Sequence, residues 1–141
     1  MPYREKTAWL MLGAMLVSFA VYFAVAYSGS IEGLPNFRLL IVYAAAMGLQ
    51  LTILGVGLLV LRRTSGVEAR AKADERDRAI AHRAGAAAYP VMMAGLVFTG
   101  VYLPFTEVGW EIVHAALLSY VVAESVRYAI VVSSYRRGWR G

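Results

Sequence analysis

Residues 37–63 read FRLLIVYAAAMGLQLTILGVGLLVLRR. Between Arg38 and Arg62 lie 23 residues without a charge. An α-helix rises 1.5 Å per residue, so about 20 apolar residues cross the roughly 30 Å of bilayer hydrocarbon. This stretch is long enough to span a membrane. It stops on two arginines, residues that belong at a headgroup boundary.

The same test finds three further spans, at about 8–27, 86–105 and 110–135, beside the one at 37–61. All four must be helices, because an open sheet leaves its backbone unsatisfied in lipid. Composition agrees. Of 141 residues 60% are hydrophobic, above the roughly 45–50% of soluble domains. The connections between spans one and two, and between three and four, are short, so each pair forms an antiparallel hairpin. The expected architecture is a single all-α membrane domain, an integral four-helix bundle. Arg4, Lys6 and the apolar run after them resemble a secretory signal. The run exceeds the usual 7–15 residues of a signal core, however, and reads as a retained span.

Charge then orients the bundle. One set of ends holds Arg4 and Lys6, the arginines and lysine between Arg62 and Arg83, and Arg136, Arg137 and Arg140: 12 of the 14 basic residues. The opposite loops hold Arg38 with Glu32, Glu107 and Glu111. The positive-inside rule makes both termini and the central segment cytoplasmic, in a multi-pass protein of the cytoplasmic (inner) membrane. The net charge of +5 follows from this topology. No aromatic residues interleave the basic segment to stack on bases, which argues against nucleic acid as a partner.

The central segment, residues 62–85, is charged. Thr64-Ser65-Gly66 marks a break, and from Val67 strong helix formers predict a surface helix running into span three. Glu68/Lys72 and Asp74/Arg78 stand at helical pair spacing. Pro90 predicts a kink about one turn into that span. Asp74, Glu75, Asp77 and His82 make a poor metal cluster, because Lys72, Arg76, Arg78 and Arg83 lie among them and the pattern of a calcium loop is missing. Asp74, Glu75, Arg76, Asp77, Arg78 and Ile80 read instead as a face for a cytoplasmic regulator or a membrane subunit, or as a solvated, self-paired surface beside lipid headgroups.

Span four carries a second signal, Glu124 with Arg127 three residues later. A lone charge at mid-membrane costs at least about 2.5–3.5 kcal/mol, so the two are expected to pair and to face protein. Helical side chains lean toward their own N-terminus, which tilts Arg127 toward Glu124. Tyr120, Tyr128 and Ser125 lie within helical reach. Gln50, near the centre of span two, is the first candidate partner from another helix, ahead of Tyr43, Thr52, Thr99 and Tyr102. The pair reads either as a polar lock or as a proton or cation site at Glu124, with His114 an outer feeder or an interfacial residue. Small residues at four-residue spacing, Ala20/Ala24, Ala44/Gly48 and Ala115/Ser119/Ala123, predict close helix contacts.

Asp74-Glu75-Arg76 followed by Ile80, with Glu124, Arg127 and the terminal Tyr135-Arg136-Arg137-Gly138, resembles a family of small four-span prokaryotic membrane proteins of unknown function. The resemblance covers nearly the whole chain and implies the four-helix membrane fold. It implies that both motifs belong to the family pattern and gives neither a role.

Enzyme chemistry is not indicated. The chain has no cysteine, no GxSxG, HExxH or phosphate loop, and its two histidines lie on opposite membrane faces. No cofactor or metal is expected. The leading expectation is a non-enzymatic interaction or regulatory module working through the charged segment, alone or as a homo-oligomer. The alternatives are a small oligomeric proton- or ion-coupled transporter using Glu124, and an accessory subunit of a larger membrane complex.

Overall fold

A computed structural model describes residues 1–28, 37–67, 71–107 and 109–138. Glu32, Glu68, Arg70 and Arg140, which entered the topology and the Glu68/Lys72 pairing, lie outside the described residues. Four helices follow one another: α1 Tyr3–Ser28, α2 Phe37–Ser65, α3 Glu75–Val97 and α4 Trp110–Arg136. A π turn at Phe98–Tyr102 and a 3₁₀ turn at Leu103–Phe105 prolong α3. With that extension, all four are long and apolar enough to cross a membrane. The fold is an all-α four-helix bundle, with no strand among the described residues.

Both expected hairpins form. α1 packs along α2, α3 packs along α4, and a contact between α1 and α4 joins the hairpins. The helices therefore follow the order α2–α1–α4–α3, with α2 and α3 outermost. Only 6% of the apolar window of α2 is buried, against 33% of α1. α1 is the central helix. Its Met15, Phe19, Tyr22 and Ala26 meet Leu39 and Ala46 of α2 and Val121 of α4 in the main core. Lipid is as apolar as these side chains, so close packing and interhelical polar contacts, rather than expulsion from water, decide how the helices associate.

The central segment departs from expectation. α2 runs on to Ser65 and stops at Gly66, whose φ of +48° suits glycine. No helix begins at Val67. Residues 71–74 are non-helical, and α3 starts at Glu75. The reason is Asp74. In extended conformation, it turns its carboxylate onto the backbone N–H of Asp77, and Asp77 returns the bond to the N–H of Asp74. This reciprocal capping box fixes the helix start against the helix-forming composition upstream. It also turns the Asp74 carboxylate back toward Asp77, where a pairing with Arg78 had been expected. α3 stays α-helical through Pro90, and its regular bonding changes only at Phe98.

Of the small-residue stripes, only that of α4 lies at a helix contact. A Cβ added at Gly95 would clash with Cβ of Ser119, and Ala123 is buried. Ala20, Ala24, Ala44 and Gly48 are exposed instead. Four-residue spacing records a possible face, and the neighbouring helix decides whether it is used.

Candidate functional site

Three polar groups of residues stand out, one at the basic end, one midway along α4 and one near the opposite end. The capping box of α3 puts Asp77 at the centre of the first. Its carboxylate pairs with Arg4 of α1 (Nε–Oδ2 2.7 Å) and accepts a hydrogen bond from the Tyr135 hydroxyl of α4 (2.5 Å). Arg76 sits 5.8 Å from the Tyr135 ring centroid. Beside it, Arg136 reaches the buried Glu5 (3.4 Å) and lies 5.5 Å from the Trp9 ring. Arg4 also donates to the carbonyl of Ala71. One polar knot thus joins α1, α3, α4 and the stretch before α3.

This changes the meaning of the charged segment. Asp74, Arg76 and Asp77 are engaged in the cap or the knot, and Ile80 is buried at 1% exposure. Of the residues expected to form a docking face, Asp74, Glu75, Arg76 and Arg78 stay exposed, Asp77 is half-buried, and Glu75 and Arg78 are the exposed ones outside the cap and the knot. Arg4, Glu5, Trp9, Tyr135 and Arg136 were not foreseen as partners. The weak signal for them was their common membrane level, which is where opposite charges on different helices meet.

Midway along α4, Arg127 contacts both oxygens of Glu124 at 3.3 Å. That is longer than the roughly 2.7–2.9 Å of a tight ionic hydrogen bond. The side chain of Glu124 is 18% exposed and that of Arg127 46%. The pair borders a groove of about 220 Å³ between α3 and α4, with Gly85, Ala88, Tyr89, Met92 and Ala123 as the other walls. Arg127 also lies 5.7 Å from the Tyr128 ring, and Tyr120 packs its ring against Phe19 of α1.

The proposed partners from other spans do not join the pair. The Gln50 amide oxygen is buried without a hydrogen bond. Thr52, Thr99 and Ser125 each donate to a carbonyl of their own helix. The Tyr43 ring meets Tyr22 edge to face, and the Tyr102 ring stacks on Phe98. Gln50 was chosen for its depth, which rise per residue gives. The rotation of α2 about its axis comes from packing on α1, and sequence does not supply it.

The third group is centred on His114, which is 4% exposed and so is buried within the bundle. The rings of Tyr22, Phe23, Tyr27 and Trp110 surround it at centroid distances of 5.4–6.2 Å. Neither ring nitrogen has a hydrogen-bond partner; nor do the buried Tyr22 hydroxyl, Ser18 hydroxyl or Trp110 indole N–H. Buried polar groups are normally satisfied, so several orphans close together mark an unusual place.

Their levels form a series. Counting residues from the end of each helix opposite the basic end, His114, Tyr22, Ser18, Gln50 and Glu124 stand at depths of about 6, 9, 15, 20 and 21 Å. The first four carry buried polar atoms without partners. Among the described residues no three His, Asp or Glu side chains converge as metal ligands. Comparison with protein-family models, curated proteins and solved structures finds no match to this chain. Function has to be read from the geometry.

Proposed function

We propose that this chain is a small multi-pass membrane protein that takes up a proton at Glu124 from the face opposite its basic end, with the basic end cytoplasmic. The observation that carries this reading is the set of unpartnered buried polar atoms on His114, Tyr22 and Ser18, which descends from the face opposite the basic end toward the level of Glu124; Gln50 lies at that level on α2 without reaching the carboxylate. Imidazole, hydroxyl and amide groups can each accept a hydrogen bond, and the first two can also pass a proton on. A metal ion would need several oxygen ligands at one point, whereas this series is spread along the helices. Ionisable residues inside a membrane span are functional candidates by default, and Glu124 has the further property of a loose partner.

The chemistry at Glu124 follows from the pair. A proton on either carboxylate oxygen neutralises the charge that holds Arg127. The guanidinium, already half exposed, is then released toward the groove and the basic end. Loss of that proton restores the pair. Proton uptake is thereby coupled to movement of a cation along α4.

The test is proton flux into liposomes holding the purified protein, followed with an internal pH-sensitive dye under an imposed pH gradient. Glu124→Gln should abolish the flux while helix content and unfolding temperature stay unchanged. A folded wild-type protein that carries no flux would overturn the reading.

An interaction module is the second reading. Glu75, Arg78 and His82 favour it, since they form an exposed stripe at three- and four-residue spacing on the first turns of α3. It predicts that a protein partner captured at the basic end is lost on charge reversal at Glu75 and Arg78. Capture that survives the reversal would remove it.

A further inference from the structure

Another cleft opens between α3 and α4 at the basic end, apart from the Glu124 groove. Arg83, Ile130, Ser133, Ser134 and Arg137 line a volume of about 220 Å³. Its position follows from the antiparallel pairing of the two helices. Tyr135 contacts Asp77 at one level and Ser119 contacts Gly95 at another, so Arg83 stands near the level of Ile130. That is six residues, or about 9 Å, inside the end of α4 at Arg136.

Helix direction decides where each arginine reaches. Side chains lean toward the N-terminus of their own helix. For α3 that end is the basic one, so Arg83 leans outward, to the level of Arg137. α4 runs the other way, which is why Arg127 leans inward and meets Glu124. Arg83 and Arg137 therefore bring two guanidinium groups to one cleft at the boundary between hydrocarbon and headgroups. The carboxylate of Asp77 is occupied by Arg4, Tyr135 and the α3 cap and does not line the cleft.

We infer that this cleft binds the phosphate group of an anionic membrane lipid. Guanidinium groups present paired N–H donors that match phosphate oxygens, and two arginines on different helices can grip one phosphate from two sides. Ser133 and Ser134 complete the lining; the Ser133 hydroxyl already donates to the Ile130 carbonyl and Ser134 is buried, so the two arginines supply the donors. Ile130 supplies an apolar wall where the glycerol and first methylenes of a lipid would lie. The volume suits a phosphate with its glycerol, and the acyl chains would continue along the outer surfaces of α3 and α4. Depth favours a lipid over a soluble phosphate compound, because lipid phosphates already reside at this level.

The full-length protein in mild detergent is titrated with phosphatidylglycerol, phosphatidylcholine or inorganic phosphate, and bound adducts are read by native mass spectrometry. Wild type should retain phosphatidylglycerol at least tenfold better than phosphatidylcholine, and an equal concentration of inorganic phosphate should not displace it. The double substitution Arg83→Lys and Arg137→Lys keeps both charges but removes the forked donors, so it should bring retention near that of phosphatidylcholine. Arg62→Gln with Arg63→Gln removes two charges elsewhere on the same end and should leave retention unchanged. An Arg83/Arg137 double variant that binds like wild type overturns the site. So does an equal loss in the Arg62/Arg63 variant, which would mean general charge attraction. Displacement by inorganic phosphate would overturn the lipid as occupant. If the double variant does not fold, Arg137→Lys alone, at the helix end, must lower retention in the same order.

Discussion

The two ends of this bundle differ in how they treat buried polarity, although the Ser65 hydroxyl at the basic end is also buried without a partner. At the basic end, Asp77 meets Arg4 and Tyr135, and Glu5 meets Arg136, so polar groups of three helices satisfy one another. At the other end His114, Tyr22 and Ser18 are buried, and their polar atoms and the buried indole N–H of the half-buried Trp110 meet no partner. Apolar packing distinguishes poorly between helix arrangements in lipid, so a satisfied knot is where helix order is enforced. Unsatisfied groups cannot serve that purpose and only cost desolvation. Their presence makes sense where something mobile, such as a proton, passes among them. On the proposed reading the contrast separates a structural end from a working end, and substitutions can test it.

The largest effect is expected at the centre of the knot. Asp77→Ala removes the acceptor for Tyr135, the partner of Arg4 and half of the capping box, leaving donors behind. Hydrogen bonds to a charged group are worth about 1.5–3 kcal/mol, so the loss should be about 3 kcal/mol. Unfolding in detergent micelles, followed by circular dichroism, measures it. Tyr135→Phe removes only the hydroxyl and keeps a ring for Arg76, so a loss of about 1.5 kcal/mol is expected. In the double variant the two losses should fall well short of adding, because both act through one contact. Full additivity would mean that the Tyr135–Asp77 bond does not form, and the structural end would lose its hub.

Much of this was legible in the residues, and the boundary is physical. Bilayer thickness converts apolar length into spans, so residues 37–61 declared α2 without any knowledge of its neighbours. The Glu124–Arg127 pair was legible because both residues belong to one helix, where three-residue spacing sets their separation. Asp77 with Tyr135 spans 58 residues and Glu5 with Arg136 spans 131. Such contacts depend on which helices are adjacent and how each is rotated. Composition sets depth but leaves rotation open, which is why Gln50 came out at the right level without reaching Glu124. The start of α3 failed for a local reason: Asp74 fits the charged-helix composition and serves as a cap, and only its backbone conformation distinguishes the two. His114, one turn after Trp110, has the same neighbours in sequence whether it lies at an interface or in the core.

The smallest expected change in stability is also the most demanding test of the contrast. His114→Phe replaces a buried imidazole with an apolar ring of similar size among Tyr22, Phe23, Tyr27 and Trp110. An unpartnered buried polar group carries a desolvation cost of about 1–3 kcal/mol, and Phe does not incur it. Some volume mismatch offsets the gain, so the unfolding free energy should stay within about 1 kcal/mol of wild type or rise. Flux through the reconstituted protein should nevertheless fall, because Phe can neither accept nor donate a proton at the first level of the series. The two readouts must move independently: stability held, conduction reduced. If His114→Phe destabilises as much as Asp77→Ala while flux is unaffected, His114 is a structural element held by partners of its own. Both ends would then be locks, and Glu124 would have lost its route to the outside.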